Sequence, residues 1–561
     1  MTENNSEGFS NDVERKMRAA LLPGSPGYPP ARFALELRRG QRSGDVMEAA
    51  QQYLSVFDTR ISPLSDLDQD VLVVEFPRHR LETADPAAAF TAGRVLEAAL
   101  DIETAEPDLP TAFFPDYTLQ DERPGNAIDE GLTDFTPWCW APEEPDLNNQ
   151  TRWALESMRI PEAWEFSRRE NRPSQGSGII IAQPDTGIVD HAELRGVNAV
   201  AGFDFIASDS DPTDPLNGAN PGHGTGTASV LVSPPTLQVT GSAPSAAFMP
   251  LRAIESVVLI TQVTVARAID WAVNHGASVI TMSLGGLPSF SVLRALQRAV
   301  AADVLVLAAA GNCVGTVVWP ARYDECIAVA GTNRADGQWR GSCRGAAVDI
   351  SAPAQNVIRA WQPPGAATGG NRVGQSQGTS YAVALTAGVA ALWLAHHGRA
   401  NLIAEARKRR EPLQIMFRRL LQATARRPRG WDSLEMGAGI VDAGALLKAG
   451  FDLGLDREDA TQHMDMTDSE AKSMMSFVAE TVGINAVEDE LVDWHRFGPE
   501  IASALLSTRR AAKLQEPDEE SPGLPAISED LAGAITNVPL REALANHRVR
   551  METFEQAVTY R

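Results

Sequence analysis

"IIIAQPDTGIV", residues 179 to 189, decides how the middle of this chain folds. Ile179, Ile180, Ile181 and Ala182 form a short apolar run with no polar position between them, as a strand covered on both faces requires. Asp185 follows at the carboxyl end of that strand, and Thr186 and Gly187 permit a tight exit. The pattern recurs in "AAFMPLRA" (246–253), "ASVITMSL" (277–284), "DVLVLAAAG" (303–311) and "ECIAVAG" (325–331), with helical segments such as "TQVTVARAIDWAVNHG" (261–276) and "SVLRALQRAVAA" (291–302) between runs. Residues 148–449 therefore read as an α/β domain, a parallel sheet with helices on both faces. Its reactive groups are expected at the carboxyl ends of the strands.

The flanks differ. Residues 31–115 give strand, helix, two strands, helix, strand ("RFALEL", "GDVMEAAQQYLSVF", "TRISPL", "DVLVVEF", "PAAAFTAGRVLEAAL", "DIETAEP"), the β-α-β-β-α-β order of a small α+β ferredoxin-like domain. Residues 1–30 are expected to be poorly ordered. Residues 116–147, rich in Pro, Asp and Glu without a sustained period, read as a linker. Residues 450–561 read as an acidic, mainly helical extension, with amphipathic helices in "SEAKSMMSFVAETVG" (469–483) and "VPLREALANHRVRMETFEQAV" (538–558) and a flexible connection in "KLQEPDEESPGLP" (513–525).

Composition narrows the functions. The 561 residues, 43% hydrophobic, allow several domains and a large core. Asp and Glu total 73 against 49 Lys and Arg, a net charge of -24, which repels nucleic acid and anionic membrane. The amino terminus carries no basic segment followed by an apolar core, and no stretch approaches about 20 uninterrupted apolar residues, so the cytoplasm is the expected compartment and no membrane partner is expected. Cys139, Cys313, Cys326 and Cys343 are too few for a disulfide framework and form no CxxC pair; they read as reduced packing residues.

Three motifs carry candidate chemistry: Asp185 in the opening stretch, His223 in "NPGHGTGTASV" (220–230), and Ser380 in "QGTSYAVALTAG" (377–388). Each has an ordinary structural reading when taken singly. An Asp at a strand end is a turn residue, a His among glycines is a polar loop group, and Ser380 caps the buried helix that Val383, Ala387, Val389, Ala390, Leu392 and Trp393 imply. Together, Asp, His and Ser stand in this chain order at element ends of one α/β domain.

On these motifs residues 148–449 resemble the subtilisin-like serine proteases. "TMSLGG" (281–286) is similar to the family's substrate-binding strand, where Ser283, Leu284 and Gly285 would pair with an extended peptide. "AAAGN" (308–312) is similar to the segment that walls the specificity pocket, with Ala309, Ala310 and Gly311 lining it and Asn312 in the oxyanion hole. "WALESMRIPEAWEFS" (153–167) resembles the family's first helical region and "GAGIVDAGALL" (437–447) its last helix. The resemblance implies a serine endopeptidase acting on polypeptides, with Ser380 as nucleophile, His223 as general base and acid, and Asp185 orienting the imidazole.

The chain also departs from the family. Gly226 and Tyr381 stand where the family has a second His and a Met, and Ala384-Leu385 replaces Pro-His. The segment after His223 lacks the asparagine-rich loop that helps hold calcium in many relatives, so no cofactor is expected to be required and no metal site is assigned. Asp209, Asp211 and Asp214 of "DSDPTDP" form a solvated acidic loop, a weak calcium site, or a face for basic substrate side chains. Cys313 and Cys326 can lie near each other, where a redox link would bear on the oxyanion hole.

Residues 31–115 resemble the propeptide of this family, which implies that the chain's own N-terminal domain inhibits it until the linker is cut. The other reading is a permanent docking domain. The carboxyl-terminal extension is expected to offer a surface to a protein partner or to pack as a cap. Two alternatives to a general endopeptidase are a catalytically silent scaffold of the same fold and a maturation protease dedicated to one partner.

Overall fold

The computed structural model describes residues 3–83, 85–110, 152–217, 220–257, 260–362, 371–454, 469–483, 492–514, 527–536 and 538–545. The linker expected at 116–147 and nearly all of the 513–525 connection lie outside the described residues.

The amino-terminal part runs α1 (Glu3–Ala20), β1 (Leu21–Pro23), β2 (Ala31–Glu36), α2 (Ser43–Tyr53), β3 (Arg60–Ser65), β4 (Asp68–Phe76), β5 (His79–Leu81), α3 (Pro86–Leu100) and β6 (Thr104–Pro107). An antiparallel sheet in the order β3-β4-β2-β6 carries the β-α-β-β-α-β arrangement. The first 30 residues depart from the expected poor order. α1 buries Val13, Met17 and Ala20 along one stripe and packs on α3, while β1 pairs with β5. Val13, Met17 and Ala20 stand among polar and charged residues, too sparse a stripe to read locally; α3 is what α1 packs on.

The central part continues with α4 (Trp153–Ser157), α5 (Ile160–Arg169), β7 (Ile180–Asp185), β8 (Asn198–Ala199), β9 (Phe203–Asp204), α6 (His223–Val232), β10 (Ala247–Arg252), α7 (Gln262–Asn274), β11 (Val279–Met282), α8 (Phe290–Ala301), β12 (Leu305–Ala309), β13 (Ile327–Thr332), β14 (Ile350–Pro353), β15 (Val357–Trp361), β16 (Arg372–Ser376) and α9 (Thr379–His397), then α10 (Arg399–Arg409), α11 (Leu413–Ala423), α12 (Ser433–Met436) and α13 (Ala443–Lys448). Eight parallel strands form the main sheet, β14-β13-β12-β11-β7-β10-β8, with β9 also on β10. Strand alternation splits the core between its faces. Ala182, Ile280, Met282, Val306 and Ala308 pack on the side of α7 and α8, and Ile181, Val279, Leu305, Leu307 and Ala309 on the side of α6 and α9. This double coverage is why the strands read as continuously apolar.

α9 is the buried helix that the sequence implied. Every residue of it except His397 is buried; among the described residues it alone is long and apolar enough to cross a membrane, and protein encloses that whole window. Asp185 ends β7, and Met282 and Ala308 are register partners on β11 and β12, so the expected site residues gather at one edge of the sheet.

The carboxyl-terminal part contributes α14 (Ser469–Val482), α15 (Trp494–Leu514), α16 (Glu529–Ala534) and α17 (Val538–Ala545). Met474, Phe477, Val478, Phe497, Ile501 and Leu505 are buried in the same core cluster as residues of the sheet and of the amino-terminal domain. These apolar faces turn inward onto the rest of the molecule.

Candidate active site

Asp185 leaves β7 almost completely enclosed, 1% exposed. Its Oδ1 pairs with Nδ1 of His223 at 2.8 Å and accepts the backbone N–H of Thr186 at 2.7 Å, while its Oδ2 accepts the Thr227 hydroxyl at 3.3 Å. His223 is the first residue of α6, and Gly224 lets that helix start lie against the β7 exit: a Cβ there would come within 2.1 Å of the Gly187 carbonyl. A second chain of bonds fixes the same corner. The Thr186 hydroxyl donates to Asp214 (2.7 Å) and accepts from the Gly224 N–H (3.1 Å), and Asp214 also accepts the N–H groups of Leu216 and Gly222. Burial pushes the Asp214 carboxyl above its ordinary pKa, against those hydrogen bonds. Asp214, 5% exposed, thus holds the corner and is not solvated, which corrects the solvated-loop expectation at that residue. Asp209 and Asp211 accept from N–H groups of their own loop, and among the described residues no cluster of His, Cys, Asp or Glu could hold a metal ion.

Ser380 is the second residue of α9 and lies 7% exposed. The cap position belongs to Gly378, not to Ser380, and no side chain caps the helix. Gly378 takes φ +155°, a backbone region favourable only to glycine. In the first turn, the Ser380 N–H has no acceptor within the helix and is available to a ligand. Thr379 donates from its N–H (2.9 Å) and its hydroxyl (2.8 Å) to Oδ1 of Asn312, which leaves the Asn312 amino group as the donor turned toward Gly378, beside Ser380. The Ser283 hydroxyl donates to the Ser380 carbonyl at 3.0 Å, tying the strand end that carries Ser283, Leu284 and Gly285 to the serine turn. Ala309 closes β12, and Ala310 and Gly311 lead from it to Asn312; the Gly311 N–H reaches the Thr379 hydroxyl at 3.3 Å.

The structure thus joins Asp185 to His223 and both Asn312 and Ser283 to the Ser380 turn. Sequence reasoning missed Thr379, Thr186 and Asp214 as positioning residues. Thr379 had a visible signal, its place beside Ser380 in "GTS"; the other two had none beyond adjacency to Asp185 and an acidic loop.

The sequence model of the subtilase family, peptidase S8, matches residues 176–457. Thermitase of Thermoactinomyces vulgaris is 34% identical over 265 residues, which cover 46% of this chain and 87% of thermitase. The chain belongs to the subtilase family. It is a subtilisin-like serine endopeptidase, a hydrolase acting on polypeptides. Subtilisin Savinase of Lederbergia lenta is 32% identical over 243 residues, covering 43% of this chain and 82% of that enzyme. A solved structure titled "Proteases from Pseudoalteromonas arctica PAMC 21717" is 26% identical, covers 55% of this chain and 98% of that one, and has a TM-score of 0.45.

Two departures of this subtilase from its family turn out to be neighbours. Tyr381 is buried, 5% exposed, and its hydroxyl lies 3.7 Å from where a Cβ on Gly226 would sit, so the larger side chain on α9 faces the smaller residue on α6. Cysteine chemistry departs from expectation. Cys313, next to Asn312, is disulfide-bonded, whereas Cys326 and Cys343 are buried thiols outside any disulfide. Cys313 is therefore not joined to Cys326, and it is not a reduced packing residue. Burial pushes the Cys326 thiol well above its ordinary pKa, which makes it inert.

Proposed function

We propose that Asp185, His223 and Ser380 are the catalytic triad of this endopeptidase, with Asn312 in its oxyanion hole, and that the chain is made as a restrained precursor. The observation that carries the reading is the buried 2.8 Å bond between His223 Nδ1 and Asp185 Oδ1. A hydrogen bond at Nδ1 leaves Nε2 to accept a proton, so the His223 ring can take one from the Ser380 hydroxyl as its oxygen attacks the peptide carbonyl. The tetrahedral oxyanion would receive the Asn312 amino group and the Ser380 N–H. His223 then returns its proton to the leaving amine, and water repeats the cycle on the acyl-enzyme. Labelling with a serine-reactive fluorophosphonate tests this: Ser380→Ala must abolish it, and labelling that survives the substitution would refute the triad.

Restraint is supported by how the N-terminal domain sits. Asp108 accepts the N–H groups of Gln262 and Val263 at the start of α7, and Glu106 accepts the N–H of Phe290 at the start of α8, so two acidic side chains satisfy helix ends of the other domain. Asp68 takes a two-pronged bond from Arg294 of α8 at 2.8 and 2.9 Å. Cutting the chain between residues 116 and 147 should raise fluorophosphonate labelling only where the N-terminal domain also leaves. Action inside the cell belongs to the same proposal and carries a condition. Disulfides persist in oxidising compartments, so a cytoplasmic enzyme would carry Cys313 as a thiol. Alkylating the native chain in extract and locating the modified cysteines decides the point.

A further inference from the structure

We propose that α14 and α15 form a clasp that fastens the N-terminal domain to the catalytic domain, so that breaking the chain between those domains does not by itself part them. The clasp grips both sides. On the N-terminal side, His495 of α15 lies between Glu36 Oε2 of β2 (2.6 Å) and Glu470 Oε2 of α14 (2.7 Å). Glu36 offers its other oxygen to Arg294 of α8 at 3.1 Å, and Arg294 reaches on to Asp68 of β4. One ionic chain thereby runs through all three parts of the molecule. Arg496 donates to Glu97 of α3 at 3.0 Å, and Arg94 of α3 donates back to the Arg496 carbonyl while its guanidinium lies 4.7 Å from the Phe497 ring centre.

On the catalytic side the contacts converge on residues 316–325, between β12 and β13. Arg322, its side chain fully enclosed, pairs with Glu480 of α14, which also accepts the Thr316 hydroxyl at 2.7 Å. Trp319 donates to Ser473 at 3.1 Å and packs edge-on against Phe477, and the Asp324 N–H donates to Ser469 at 3.1 Å. Parting the enclosed Arg322 from Glu480 is costly, because it strands a buried guanidinium. The enclosed Arg322 needs α14 to remain where it is.

The clasp concerns association alone. Its consequence, that release of activity requires the carboxyl-terminal segment to let go, rests on the restraint proposed above. The test uses the full chain with Ser380→Ala and a recognition sequence for a site-specific endopeptidase inserted between residues 116 and 130, cut in reducing buffer and followed by gel filtration. The amino-terminal fragment should co-elute with the remainder at micromolar concentration. His495→Ala and, separately, the milder Arg496→Ala should each weaken retention at least about tenfold, with thermal unfolding of the uncut variants showing that they fold. Loss of the fragment from the unsubstituted chain, or retention equally tight in both variants, would overturn the clasp. Fluorophosphonate labelling of the cut chain with Ser380 restored reads the restraint separately: a retained fragment with full labelling refutes restraint and leaves the clasp standing.

Discussion

Thr379 shows how much of the site rests on a residue that need not touch substrate. It fixes Asn312 through two donors to one oxygen, and its hydroxyl also receives the Gly311 N–H. Thr379→Val keeps the size and the backbone bond but removes the hydroxyl, so the Asn312 amide loses one of the two bonds that fix its aim. On the oxyanion role proposed for Asn312, losing that donor outright should lower turnover about 10²–10³-fold, as in subtilisin. A misaimed donor should cost less, about tenfold in kcat with KM nearly unchanged, and steady-state kinetics on a peptide substrate would show it. An unchanged kcat would mean that Asn312 is held by its backbone alone. Gly226 and Tyr381 form the other pair to probe at this scale. Gly226→His brings a ring against the Ala360 carbonyl and the Arg359 side chain, each 3.4 Å from the Cβ position, as well as the Tyr381 hydroxyl at 3.7 Å, and should cost about 1–3 kcal/mol by overpacking, part of it recovered when Tyr381→Met is added. Denaturant midpoints of the two single variants and the double variant measure this coupling, and strictly additive losses would refute it.

At the scale of elements, the starts of α7, α8 and α9 show where sequence reading succeeds and stops. Strands β7, β11 and β12 and helix α9 were legible because burial on both faces leaves continuous apolar runs and because Asp185, His223 and Ser380 stand at element ends. What satisfies the helix ends was not legible. Thr261 and Ser289 precede α7 and α8 with the right chemistry for capping, yet neither side chain caps; Asp108 and Glu106 do so from far away in sequence. The α1 helix was missed for the same reason, since its cover is α3. Likewise Ser380 reads as a cap locally, while the structure gives that position to Gly378 and leaves the Ser380 side chain out of the capping. Gly378→Ala tests this division. The added methyl must adopt φ near +155° and lie about 3.5 Å from the Asn312 amino group, a strain of about 1–3 kcal/mol. Thermal stability should fall and Ser380 labelling with it; a variant with full labelling would mean that the turn tolerates a side chain and that the helix start is not held as described.

For the whole molecule, two titrating groups at the junctions between its parts, the buried Glu106 and the half-buried His495, shape how domain association responds to pH. Burial pushes Glu106 up to about 8, against its bonds to Ser289 and Phe290 and with the charges of Glu470 and Asp108 adding to the rise. Burial pulls His495 down, but the hydrogen bonds and charges of Glu36 and Glu470 outweigh it and carry the imidazole up to about 11. Both groups bind a proton more tightly when the parts are docked than when solvent reaches them, so docking weakens as pH rises. The sign is the same for the acid and the base because each is raised. Glu106 acts between its free value near 4.5 and about 8, and His495 between 6.5 and about 11. One proton contributes at most about tenfold per pH unit within its window. The fragment retained after linker cleavage should therefore bind at least about tenfold more weakly at pH 8 than at pH 5, as fluorescence anisotropy of a labelled amino-terminal fragment would measure. Glu106→Gln removes its share of the lower window and keeps the upper one, so affinity should fall less between pH 5 and about 6.5 than in the unsubstituted chain, where burial also raises Asp108 at the same junction, and should still fall beyond it. Affinity that rises with pH in the unsubstituted chain, or a Glu106→Gln profile identical to it, would show that these carboxylate and imidazole contacts do not govern how the three parts hold together.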